Sequence, residues 1–248
     1  MSEDRPLHEL ADRARATYNR LLRKHTLADR RALHDRCVGL DRRGLLAQPV
    51  KSARFVALDL ETTGFAAYAG DEIVQIALLE YRGLEPTGEE LCSLVRPSIA
   101  IPATSTAVHG IDDTLVNDAP TIDQLLDSIV DFLDGAVIVG HHVAFDLRFI
   151  NRVMQRELFC RLPHPTVDTM LLYLSRSGRL GHYDLEDVAG ACGVPVDDRH
   201  DARGDAVIAA NIFAHLAAPL AESGATVRKL IAGTRAGAPD DAPAGPPA

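Results

Sequence analysis

Cysteine is scarce and scattered. The 248 residues hold 4, at Cys37, Cys92, Cys160 and Cys192, with no CxxC pair and no clustered framework. Such spacing argues against a disulfide framework and against a structural zinc site, and it reads as reduced thiols in a cytosolic protein. Also missing is any apolar run approaching the roughly 18 residues of a membrane span. The opening "MSEDRPLHEL" lacks the apolar core of a secretory leader, so the expectation is a cytoplasmic protein with no membrane partner. No internal repeat is present.

Positive charge is in deficit as well, with a formal net charge of −9. The deficit is uneven. Residues 1–51 carry 12 Lys and Arg against 7 Asp and Glu, whereas the rest of the chain carries 14 against 28. An acidic body with a basic arm is not the profile of a protein that grips duplex DNA through a broad basic face. If nucleic acid is the substrate, something else must hold the phosphate.

What is present is ordinary globular composition, 46% apolar and 25% charged. The periodicity predicts a helix in "LHELADRARATYNRLLRKH" and another in "LADRRALHDRCVGL", a basic amphipathic N-terminal arm over residues 1–51. From Arg54 the pattern changes: "RFVALDL", "DEIVQIALLEY" and "EELCSLVRP" read as an antiparallel meander. "TIDQLLDSIVDFLDG" reads as a helix ended by Gly135, "AVIVGHH" as a short buried strand, and "AFDLRFINRVMQREL" as a helix. Helical segments around "DTMLLYLSR", "DLEDVAGACG" and "DARGDAVIAANIFAHLA" complete a body spanning 52–220. Residues 221–248 read as a helix end and a disordered Ala/Gly/Pro-rich tail. The expected fold is α/β, with helices flanking a mixed central sheet built from the meander plus parallel strands.

Within this pattern the acids stand out. In "FVALDLETTG" an apolar strand runs into Asp59 and Glu61, two residues apart and so on one face. Asp146 shares a helical face with Phe149, Ile150 and Val153, and Asp205 shares one with Ala209, Ile212, Phe213 and Leu216. Four carboxylates converging in a partly buried site cannot all stay ionised unaided, because each raises the pKa of the others. Oxygen-only donors select hard cations, Mg²⁺ or Mn²⁺. Two such ions roughly 3.5–4 Å apart suit phosphodiester hydrolysis. His200, five residues before Asp205 where a loop meets the helix, is placed to accept a proton from water near neutral pH.

Together these residues resemble a known set. "DLETTG", "HHVAFDLRF" and "HDARGDA", with "VHGI" and "VDTMLL" between them, are similar to the motifs of the DEDDh 3′→5′ exonucleases, in the same order over roughly residues 54–217. Within that family the chain resembles the proofreading epsilon subunit of bacterial DNA polymerase III. The resemblance implies a ribonuclease-H-like fold and release of nucleoside 5′-monophosphates from the single-stranded or frayed 3′ end of DNA. It implies two divalent ions, held directly by Asp59, Glu61 and Asp205 and indirectly by Asp146, with His200 as base. Thr62, Thr63, Gly64 and His109 would hold the terminal nucleotide, and a DNA polymerase would be the partner. The chain departs from the family at His142, where Asn is usual, and Asp168 matches a family position with a structural or supporting role. The rival readings are an exoribonuclease of the oligoribonuclease or ribonuclease T type, and a polymerase-bound interaction module.

Overall fold

The computed structural model describes residues 26–235, so the helix expected over "LHELADRARATYNRLLRKH" and the last residues of the tail lie outside them. The chain begins with α1 (Leu27–Val38) and α2 (Arg42–Ala47), then enters the meander β1 (Arg54–Thr62), β2 (Ile73–Arg82) and β3 (Glu85–Leu94). Two short helices, α3 (Ala103–His109) and α4 (Asp113–Val116), lead into α5 (Ile122–Leu133), β4 (Val137–Gly140) and α6 (Ala144–Leu158). The rest comprises β5 (Thr166–Asp168), α7 (Thr169–Ser177), α8 (Leu185–Cys192), α9 (Ala202–Glu222) and α10 (Val227–Arg235).

The sheet has the order β3-β2-β1-β4-β5. β1, β2 and β3 pair antiparallel, while β4 runs parallel to β1 and β5 parallel to β4. Strand alternation divides the core into two layers. Phe55, Ala57, Ala77, Leu79, Val137 and Val139 pack with α7, α8, α9 and α10. Val56, Leu58, Leu60, Ile76, Leu78 and Ile138 face the other way, onto α1, α5 and α6. Each large side chain buried this way stabilises the fold by roughly 1.5–3 kcal/mol before entropy is counted.

β1 is the strand at which the connections change side: the chain leaves it toward β2 and β3 and returns on its other flank as β4. In open α/β sheets the carboxyl ends of strands at such a switch point form the natural crevice. β1 ends there in a register shift between Glu61 and Thr62, and β4 ends at Gly140. A Cβ on Gly140 would meet the Leu58 carbonyl oxygen at 2.8 Å, so only glycine lets the two strand ends close together.

Within residues 26–51, Leu33 and Cys37 are buried in the α5/α6 layer and Pro49 bridges to Thr226. Residues 227–235 form α10, whose Val227 and Leu230 are fully buried. Among the described helices, α9 is long and apolar enough by composition to cross a membrane. Here it is a core helix, with 12 of its 21 residues buried. β5, α3 and α4 were not anticipated at all.

Candidate active site

Asp59 and Glu61 occupy the same face of β1 as Phe55 and Ala57, the face that packs on α9. Asp205 lies in the first turn of α9 and is buried. The strand and helix therefore bring the three carboxylates together, one oxygen of each lying within 4.8 Å of the others. Asp146, buried in the first turn of α6, reaches Asp59 and Glu61 from the other layer but stands outside this trio.

Burial and mutual repulsion dominate the electrostatics. Burial first, then the neighbouring Asp146, Asp205 and Glu61, hold the Asp59 carboxyl well above the usual carboxylate range. Burial also holds Asp146 well above that range, against the opposing pull of the backbone amides of Asp146 and Leu60. Burial and Asp205 push Glu61 up to about 7. Asp205 is raised by burial while the Arg199 guanidinium pulls it back down. Arg199 Nη1 donates to Asp205 Oδ2, whereas Asp205 Oδ1 is buried with no hydrogen-bond partner among the described residues. An unpartnered carboxylate oxygen beside two further acids costs free energy unless a cation meets it. The donor set, all carboxylate oxygen, fits a hard divalent ion.

The start of α9 is pinned in several ways. Asp201 caps it, accepting from the backbone amides of Arg203 and Gly204 at 3.1 Å. Gln75, opposite Glu61 on β2, donates from Nε2 to Asp201 Oδ2 at 2.7 Å and accepts from the Ala202 amide at 3.1 Å. Gly204 lets the preceding loop lie against the helix, since a Cβ there would sit 2.1 Å from the Asp198 carbonyl oxygen. His200 follows in the left-handed region, φ 62°, with its side chain exposed and its backbone amide at the Asp205 carboxylate.

The β1–β2 loop is equally constrained. Thr62 Oγ1 donates to the Gly64 carbonyl, Ser105 Oγ on α3 donates to the Thr63 carbonyl, and Thr63 Oγ1 accepts from the Glu72 amide at 2.9 Å. Gly64 packs on Asp71, whose carboxylate a Cβ would approach within 2.5 Å. His109 closes α3: its Nδ1 accepts from the Ile111 amide at 3.0 Å, which leaves the proton on Nε2, buried beside the Thr62 backbone. His109 and His200 are close enough for their charges to interact.

His142 also adopts a left-handed backbone, φ 51°, a conformation that Asn and His tolerate better than most residues. Its Nε2 and that of His141 both reach the Tyr183 carbonyl, and its ring stacks on His182 at 4.4 Å. Asp168 is the N-cap of α7, accepting from the amides of Met170 and Leu171. Several residues were missed by the sequence reading. Gln75 pairs with residues 126 and 127 positions away, and Arg199 with residues 6 and 13 away, spacings that leave no periodic signal. Phe65, 88% exposed directly after Gly64, has its ring 6.1 Å from that of Phe145, which Arg148 overlies at 5.5 Å. The one available clue was an aromatic residue following a Gly-containing turn.

Comparison with known proteins agrees with this geometry. The profile of the Exonuclease family, RNase_T, matches residues 56–213. The "DNA polymerase III subunit epsilon-like protein" of Rhodobacter capsulatus is 38% identical over 187 residues, 73% of this chain, and the chain spans only 26% of that relative. The DNA polymerase III subunit epsilon of Aquifex aeolicus is 30% identical over 159 residues, 64% of this chain and 78% of its own length. Among solved structures, the nuclease domain of 3′hExo, described as a DEDDh family member bound to rAMP, superposes with a TM-score of 0.60 at 17% identity, covering 68% of this chain and 93% of that domain. With the acidic cluster at the switch point of a mixed sheet and the family match running from β1 into α9, this chain belongs to the Exonuclease (RNase_T) family and is similar to the epsilon subunit of bacterial DNA polymerase III.

Proposed function

We propose that this chain is a metal-dependent, cytoplasmic 3′→5′ exonuclease that removes nucleoside 5′-monophosphates from the 3′ end of DNA in proofreading or repair. The observation that carries the reading is the trio Asp59, Glu61 and Asp205 with the buried, unpartnered Oδ1 of Asp205. Asp59, Glu61 and Asp205 would hold the ions directly, with Asp146 contributing from the adjacent helix. When bound, two Mg²⁺ or Mn²⁺ supply positive charge to the phosphate oxygens and acidify a water. His200, exposed at the rim, takes the proton from that water.

Substrate positioning falls to the pinned loop and to α3. Thr62, Thr63, Gly64 and His109 would hold the terminal nucleotide. Phe65 and Phe145 offer ring faces to bases, and Arg148 offers charge beside them. A recognition site this small explains how an acidic body tolerates a polyanion. DNA is favoured over RNA because the epsilon relatives are DNA polymerase subunits, and the same relation makes a DNA polymerase the expected partner.

The test is a side-by-side digestion of 5′-labelled single-stranded DNA, mismatched-primer DNA and short RNA. The expected result is stepwise shortening of DNA from its 3′ end, abolished by EDTA and restored by Mg²⁺ or Mn²⁺ but not by Ca²⁺ alone. Full activity after exhaustive chelator dialysis would overturn the metal requirement. Faster RNA digestion would transfer the chain to the exoribonucleases, a reading favoured by the 3′hExo domain seen with rAMP. No digestion of any substrate would leave the polymerase-bound module.

A further inference from the structure

Arg199 joins two carboxylates from opposite sides. Nη1 donates to Asp205 Oδ2, and Nε donates to Glu186 Oε1 at 2.5 Å, in the first turn of α8. Its side chain is only 22% exposed. A guanidinium so enclosed stays charged and needs both acids to offset its lost hydration. Its presence beside a cation site is at first sight a contradiction, because its charge opposes that of an incoming ion.

Geometry resolves this. Asp205 has two oxygens on one rotatable bond, and with Oδ2 held by Arg199 that bond is fixed. Oδ1 is then the oxygen left for the acidic trio, and it is the one without a partner. Glu186 carries a compensating negative charge on the far side of the guanidinium, and the Arg199 pair in turn holds the Glu186 carboxyl below its ordinary range. The loop lies tight against the helix, with the Asp198 carbonyl packed on Gly204 and His200 in the left-handed region.

We propose that Arg199, anchored by Glu186, is a positioning residue that holds Asp205 so that it offers a single oxygen, Oδ1, to a divalent cation. The proposal rests on the metal-dependent reading above. It assigns Arg199 no contact with substrate.

The test is calorimetric titration of the chelator-stripped full chain with Mn²⁺, without substrate, for wild type, Arg199→Gln, Arg199→Lys and Glu186→Gln. Loss of a hydrogen-bond partner behind a metal ligand typically costs 10–100-fold in affinity. Arg199→Gln should therefore bind Mn²⁺ roughly 10–100-fold more weakly, with Arg199→Lys between it and wild type. Glu186→Gln should weaken binding in the same direction by freeing the guanidinium. Unchanged affinity in all three variants would make Arg199 merely structural, and tighter binding in Arg199→Gln would make it a competitor of the ion. Either result overturns the proposal. If Arg199→Gln fails to fold by circular dichroism, Arg199→Lys and Glu186→Gln decide by the same criterion. A wild type that binds no Mn²⁺ would instead sink the metal-dependent reading itself.

Discussion

Along the face of β1 that looks at α9, Phe55 and Ala57 lie at one end, Asp59 and Glu61 at the other. The helix mirrors this change, presenting Phe213 to the first pair and Asp205 to the second. At the aromatic end the rings of Phe55 and Phe213 meet at 4.7 Å, both fully buried. At the acidic end burial raises every carboxyl pKa, so assembling the bare cluster works against folding. A strand–helix contact stable at one end can carry an unfavourable arrangement at the other, which is how a fold maintains a site its own packing would not select.

The largest effect that could break this contrast is expected at the acidic end. Asp59→Asn should abolish hydrolysis, since a neutral amide is a poor ligand for a hard ion. In EDTA the same variant should melt at or above the wild-type temperature, because one charge has left a repulsive cluster. A lower apo melting temperature would show that Asp59 is a structural acid. Asp205 is the wrong residue for that measurement, being paired with Arg199.

Next, His200→Ala should lower kcat by about 10²–10⁴ while Mn²⁺ affinity is retained. Single-turnover assays and metal titration separate the two, and wild-type turnover would remove His200 from the chemistry. At the aromatic end the pattern should invert. Phe213→Ala should cost roughly 3–5 kcal/mol by urea denaturation, with the folded fraction turning over within a few-fold of wild type. A large loss of turnover in folded protein would mean the two ends are not separable.

The smallest effect lies near the opposite end of the parallel strands. His164 Nε2 donates to the Leu133 carbonyl at 2.9 Å, Nδ1 is buried without a partner among the described residues, and burial lowers the pKa. Below about pH 6.5 the unfolded chain takes up a proton that the folded chain resists, so stability present above that pH is lost as pH falls. His164→Gln, which keeps a donor, should flatten this loss, by at most about 1.4 kcal/mol per pH unit. Parallel acid-side slopes for both proteins in chemical denaturation would refute the assignment.

Much of this was readable from the chain because it depends on local period. The meander, α5, α6 and α9 follow apolar spacing, and Asp59, Glu61, Asp146 and Asp205 are conspicuous as acids where that spacing calls for apolar residues. β5 was missed because three residues are too few to show alternation and run directly into the helical pattern of "TMLLYLSR". α3 begins after Pro102 with no side-chain cap and buries no residue, so it leaves little apolar signature. α10 was obscured by the Gly- and Thr-containing stretch that surrounds Leu230 and Ile231. In the site, the trio was legible and its support was not. Arg199, Gln75 and Glu186 are ordinary surface types in sequence, and only the packing of α8, β2 and α9 gives them their partners.

The two-pronged amide of Gln75 has a consequence for folding fidelity. Because side chains alternate across a sheet, sliding β2 by one residue along β1 would turn Gln75 toward α1, α5 and α6 and bring Val74 or Ile76 round to face α9. The first turn of α9 would then lose its anchor, and Asp205 would no longer be held beside Asp59 and Glu61. A mispaired chain could still be compact, but it would be silent. The amide thus acts as a key cut to one alignment of the sheet, so that the acidic trio assembles only in the correctly folded molecule.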